Sequence, residues 1–248
     1  MNKLILNWLA FLFMITVNIL ANVLPLGGNT TGEIEERNIV FFTPAGYAFS
    51  IWSVIYILLA LWLISQIPKG RRELPVYQKT NLLFMVSSIL NGLWLIFWHY
   101  EQFLISILIM ASLLFSLHLL YRNLLAANAS FPERLPFSVY YGWVSVAVIA
   151  NLSFVLKEYD LLGTGSDQFA WTMLMLIFAS LVAYAAGTRF HDRVYTLVFV
   201  WAFIAIGVEN FQERTFIAYF TFILAALLII SIALPIKKRK KTLPRMLR

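Results

Sequence analysis

The run FIAYFTFILAALLIISIALPI, residues 216–236, carries no charged side chain and is followed directly by KKRKK, residues 237–241. An α-helix needs about 20 mostly apolar residues to cross the hydrocarbon core of a bilayer, and this run has that length. The basic cluster abutting it reads as a stop signal and a contact for anionic lipid headgroups, worth about 1 kcal/mol per residue near the surface. Seven further apolar stretches precede it, at 4–24, 45–67, 80–98, 103–121, 136–156, 169–187 and 194–208. No water is present in the bilayer core to satisfy backbone groups, so each must be a helix and not an open strand.

The positions of the charges test the count. With the amino terminus inside, sixteen of the nineteen Lys and Arg residues lie on the inner side. They are Lys3, the group Lys69, Arg71, Arg72 and Lys79, the pairs Arg122 with Arg134 and Arg189 with Arg193, and the seven of the tail. Only Arg37, Lys157 and Arg214 lie outside. Basic residues in short loops set orientation. A missed span would put half of these loops on the wrong side. The expected fold is an all-α integral membrane protein of eight transmembrane helices with both termini cytoplasmic, and a bacterial plasma membrane is the default location.

Composition agrees and excludes several functions. At 61 % hydrophobic and 12 % charged residues, the chain falls outside the range of soluble domains. The net charge of +7 is concentrated beside the last span, so no nucleic-acid partner is expected. The absence of cysteine excludes disulfides, thiolate nucleophiles and Cys-ligated metals. His99, His118 and His191 share no helix, so no metal site is expected. No Ser–His–Asp set, paired carboxylates at one depth or phosphate-binding loop is present, and an enzyme is not the expectation. Leu20-Ala21-Asn22-Val23 offers no small-x-small cleavage site, so the first stretch reads as a retained helix. Asn29-Thr30-Thr31 is a formal glycosylation sequon.

Two connections are long and polar, 25–44 and 156–168. The second divides five spans, which hold most of the intramembrane polar side chains, from three plainer ones. The expected organisation is a five-helix bundle over 1–156, three additional helices over 157–236 and a basic tail over 237–248. Ser166 or Asp167 is expected to cap the sixth helix. No buried acid suited to ion coupling stands out. Trp8, Trp98, Tyr100 and Trp171 lie near span ends, as interface anchors do.

Three helices each present an aromatic stripe. In Thr43-Pro44-Ala45-Gly46-Tyr47-Ala48-Phe49-Ser50-Ile51-Trp52-Ser53-Val54-Ile55-Tyr56, Pro44 opens a helix and Phe49, Trp52 and Tyr56 recur at i, i+3 and i+7. Asn91, Trp94 and Trp98 repeat that spacing in the third span, while Trp143, Ala147 and Asn151 sit at i, i+4 and i+8 in the fifth. An unpaired amide in hydrocarbon is costly. Such Asn residues are either packing glue between helices or polar contacts in an aromatic pocket. Spacing leaves both open.

The segments resemble the TspO/MBR family, which includes the translocator protein and the tryptophan-rich sensory proteins. Pro44-x-Gly46-Tyr47-x-Phe49-x-x-Trp52-x-x-x-Tyr56 is similar to the run that opens that family's second helix. Asn91-x-x-Trp94-x-x-Phe97, with Trp98 beside it, resembles the third-helix motif, and Trp143 with Asn151 resembles the fifth. Ala45 and Ser50 stand where prolines are usual, Tyr47 replaces a tryptophan, and three spans have no counterpart. The resemblance covers roughly residues 1–156. It implies a five-helix bundle, often dimeric, that binds tetrapyrroles, sterols or aromatic drugs under a cap formed by the first loop, here 25–44. The expectation is a membrane receptor or carrier that requires no cofactor and binds a planar hydrophobic ligand, a porphyrin or a sterol. Pro44, Tyr47, Phe49, Trp52, Tyr56, Asn91, Trp94, Trp98, Trp143 and Asn151 are the candidate binding residues. A secondary transporter and a porphyrin-modifying enzyme are the alternatives.

Overall fold

The computed structural model of the protein describes residues 2–29, 33–34 and 37–234. The basic tail, Thr30 and Thr31 of the sequon, and Gly32, Glu35 and Glu36 lie outside the described residues. Eight helices among the described residues are long and apolar enough to cross a membrane. They are α1 (Asn2–Val23), α2 (Ile51–Ile64), α3 (Asn81–His99), α4 (Phe103–Ala126), α5 (Phe131–Glu158), α6 (Gly165–Phe190), α7 (Arg193–Asn210) and α8 (Thr215–Ala233). A 3-10 turn, Gly46–Ser50, leads into α2.

Several helices overrun the apolar stretches that announce them. Hydropathy stops at the first charge, whereas a helix continues until something caps it. α5 begins at Phe131 rather than 136 because the Ser130 backbone N–H and Oγ both donate to the Glu133 carboxylate, at 2.8 Å each. The cap of α6 is a correction to the sequence reading. Its N-cap is Thr164, so Ser166 and Asp167 lie within the first turn, where the Asp167 carboxylate favours the helix dipole.

A second correction concerns buried acids. Asp192 looks like a loop residue in sequence, yet only 7 % of it is exposed. It caps α7 by accepting from the backbone N–H of Val194 (3.0 Å) and Tyr195 (3.2 Å), and it also accepts from the Tyr121 hydroxyl. These three donors account for its burial as a structural cap.

α5 and α7 are the most enclosed helices. α5 packs against α2, α4 and α7, while α7 also packs against α6 and α8; α1 lies on α3. One core cluster runs through both halves of the chain, from Phe11 and Met14 to Ala225 and Leu228. The α5–α7 contact depends on Gly142. A Cβ there would stand 3.0 Å from Val198 Cβ and 3.2 Å from the Tyr195 carbonyl oxygen. On the outside of α8, Phe216, Tyr219, Ile223, Leu227 and Ile230 are each more than half exposed. An apolar stripe of that size is a liability in water, but it suits a lipid-facing surface.

Trp98 departs from its reading as an interface anchor. It is 4 % exposed and lies between Phe103 and Phe154, with ring centroids 5.1 and 4.6 Å away. Its position next to the α3–α4 turn places it at a helix end, but its ring turns inward.

Gly142→Val should force α5 and α7 apart. Overpacking of this kind costs about 1–3 kcal/mol, which thermal unfolding in detergent would register as a clear loss of stability. Gly142→Ala should be nearly neutral, since about 1 kcal/mol of helix propensity offsets the milder squeeze.

Candidate functional site

The 3-10 turn and the first turns of α2 carry Phe49, Trp52 and Tyr56 to a place where α1, α3 and α5 converge. There they wall a cavity of about 660 Å³. Trp52 is its centre. The Trp94 ring from α3 lies 6.4 Å away at 28° to it, and the Trp143 ring from α5 meets it edge-on at 6.5 Å and 88°. Tyr56 stacks on Trp52 at 5.9 Å, while Phe49 abuts Trp143 at 5.9 Å and 88°. Offset and edge-to-face pairs of this kind are each worth about 0.5–1.5 kcal/mol beyond the area they bury, so the wall is rigid without being filled.

Eight of the ten residues singled out in the sequence line this cavity: Pro44, Phe49, Trp52, Tyr56, Trp94, Trp98, Trp143 and Asn151. Two lie elsewhere. Tyr47 is 45 % exposed and faces the α7 residue Trp201 edge-on at 5.4 Å. The cause is spacing, because a residue two positions before Phe49 falls on a different face of any helical turn. Asn91 is buried outside the cavity, its Oδ1 accepting from Asn18 Nδ2 at 2.9 Å. It therefore holds α1 to α3 as an interhelical amide bond.

The cavity also uses residues that the aromatic stripes do not reveal. Asn18 and Asn22 of α1 and Met110 of α4 line it. The two asparagines stand at i and i+4, one face of a helix, and that spacing of amides within an apolar run is a readable signal. The Asn22 amide donates to the Asn18 carbonyl at 2.8 Å. Asn18 Nδ2 also bonds to the Met14 carbonyl at 2.8 Å.

The polar atoms around the cavity decide what it could hold. Tyr56 Oη, Trp94 Nε1, Trp143 Nε1 and Asn151 Oδ1 are buried and have no hydrogen-bond partner within the protein. A buried unsatisfied donor or acceptor costs about 1–3 kcal/mol, and these four belong to residues of the cavity wall. No charged side chain lines the cavity. Burying a charge without a partner is prohibitive, so any ionised group of a guest must stay at the mouth. A volume in this range with apolar walls and a few convergent polar atoms is the usual make-up of a small-molecule site. Among the described residues, no cluster of His, Cys, Asp or Glu has the arrangement to hold a metal ion.

His118 and His99 lie apart from the cavity. His118 Nδ1 is 3.0 Å from the Tyr141 hydroxyl. His99 Nδ1 lies 3.3 Å from the Leu26 carbonyl and 3.1 Å from that of Asn29, which fastens the start of the first loop to the end of α3.

Comparison with known proteins gives one match and two blanks. The family described as TSPO-like protein matches residues 4–234, from the first turn of α1 to the end of α8. No curated protein and no solved structure matches the chain. The family match spans all eight helices and the cavity between them, and this integral membrane protein belongs to the TSPO-like protein family.

Proposed function

We propose that the protein is a receptor or carrier for a planar hydrophobic small molecule, a tetrapyrrole or a sterol, held in the aromatic cavity. The observation that carries this reading is the convergence of Trp52, Trp94 and Trp143 from three helices around about 660 Å³. Flat indole and phenol faces suit a flat guest. Burial of its apolar surface contributes roughly 25 cal/mol per Å², which reaches micromolar affinity without strong polar contacts. Asn151 and Tyr56 orient the guest's polar edge, and the tryptophan Nε1–H groups donate to acceptors on it. No resident cofactor is needed. The same reading places the protein in a bacterial plasma membrane with both termini in the cytoplasm, its basic tail on anionic headgroups, and two copies forming a homodimer.

Protoporphyrin should quench the tryptophan fluorescence of the detergent-solubilised protein in a saturable manner. Trp52→Ala should raise its Kd about tenfold, equivalent to about 1.4 kcal/mol. An unchanged Kd would remove Trp52 from the site. Uptake driven by a proton or sodium gradient in proteoliposomes would instead indicate a transporter, and spectral conversion of the porphyrin an enzyme.

Asn151→Leu separates polar from apolar recognition. It should weaken a probe with hydrogen-bonding edge groups by about 0.5–1.5 kcal/mol and leave a purely hydrocarbon aromatic probe unaffected or slightly tighter, as isothermal titration would show.

A further inference from the structure

The segment 38–48 has two faces. Thr43, Pro44 and Gly46 line the cavity. The other face is held from behind by the end of α5 and by the helices that follow it. The Asn38 side chain donates to the Glu158 carboxylate. With its side-chain amide turned so that the nitrogen faces Ile39, Gln168 of α6 donates to the Ile39 carbonyl oxygen (3.2 Å) and accepts from Lys157 Nζ (3.0 Å). Asn210 Nδ2 of α7 donates to the Phe41 carbonyl at 3.0 Å, and the Arg214 guanidinium sits 4.2 Å over the Phe41 ring. The Ala45 backbone N–H donates to the Ala205 carbonyl at 3.2 Å, and Trp201 Nε1 donates to the Ala48 carbonyl at 3.2 Å.

We infer that α6 and α7 form a clamp that fixes the cap of the ligand cavity, with Trp201 and Asn210 as positioning residues that never touch the ligand. The inference rests on the ligand-binding reading for its purpose, though not for its geometry. The physical reason is accounting of backbone groups. Residues 38–45 are not regular helix, and a buried non-helical main chain must find partners outside itself. In this chain the partners of Phe41, Ala45 and Ala48 all come from α7, which gripped main-chain atoms rather than side chains along a short stretch. Val40 and Phe42, which lie between the grips, are buried at 4 % and 0 % exposure. Widening of the cavity at Thr43 and Pro44 therefore requires release of bonds to α7, so α6 and α7 control this side of a cavity built by the first five helices.

The natural absence of cysteine makes a direct test available on the full chain. Ala147→Cys places a thiol on the cavity wall, and Ser116→Cys places a near-isosteric thiol in the core away from it. In each background, the rate of modification by a small methanethiosulfonate reagent is compared with and without Trp201→Phe plus Asn210→Ala. The clamp predicts at least threefold faster labelling at position 147, no change at 116, and protoporphyrin dissociation accelerated by a similar factor in stopped-flow quenching. Trp201→Phe alone, which keeps the ring and deletes the donor, should give a smaller increase at 147. Equal rates at 147 with and without the substitutions, or a parallel rise at 116, overturn the inference. If protoporphyrin fails to bind the parent protein while labelling at 147 still accelerates, the ligand reading falls and the clamp stands.

Discussion

Every peptide group that enters hydrocarbon must bring its own hydrogen-bond partner, because the lipid supplies none. Eight helices meet that demand internally. The irregular 38–50 approach to α2 meets it partly by borrowing from α7: the Ala205 carbonyl for Ala45, the Trp201 indole for Ala48 and the Asn210 amide for Phe41. Pro44 contributes by having no N–H to satisfy. The same constraint explains the polar side chains. Asn7 bonds Asn81 at 2.8 Å and Asn18 bonds Asn91 at 2.9 Å, two rungs that fasten α1 to α3.

Against these paired amides, the unpaired polar atoms of the cavity residues are informative. Trp94, Trp143, Tyr56 and Asn151 combine large apolar bodies with one unmatched polar atom each. A bundle selected only for stability would fill such a space with aliphatic side chains and pair the amide, since cavities and unsatisfied groups both cost free energy. Four of these unpaired atoms belong to residues around one cavity, while the Trp62 ring is enclosed by Phe84 and Phe137 at 5.1 and 5.0 Å.

Most of the fold is legible in the sequence because the bilayer imposes one strong rule, an apolar run of fixed length, and the basic loops check the count. The helix ends are less legible. Ser130 with Glu133 extends α5 by a turn that hydropathy assigns to a loop, and Asp192 hides as a loop residue because its burial depends on Tyr121, seventy-one positions away. The aromatic stripes at i, i+3 and i+7 point to the right region, since helical spacing fixes which residues share a face. A shared face does not settle what each side chain does: Asn91 shares a face with Trp94 yet bonds Asn18 of α1 outside the cavity. Tyr47, singled out by the resemblance and not by the stripe, faces α7. Asn18 and Asn22 carry a signal of their own, an amide pair at i and i+4, that the tryptophans overshadow.

The contribution of α6 and α7 is the least legible in the sequence, and the reason is physical. Their sequences show few polar residues, and helices whose role is to hold another segment's backbone need few. One indole N–H, one amide and one helix carbonyl suffice to fix the cap. Main-chain recognition leaves almost no pattern in the recognised segment either, because any residue presents the same N–H and C=O. A stretch that is irregular, buried and gripped through its backbone can change its cavity-facing side chains without losing its hold on α7. Such a design lets the cavity-facing side chain at Thr43 vary while the main chain keeps its place.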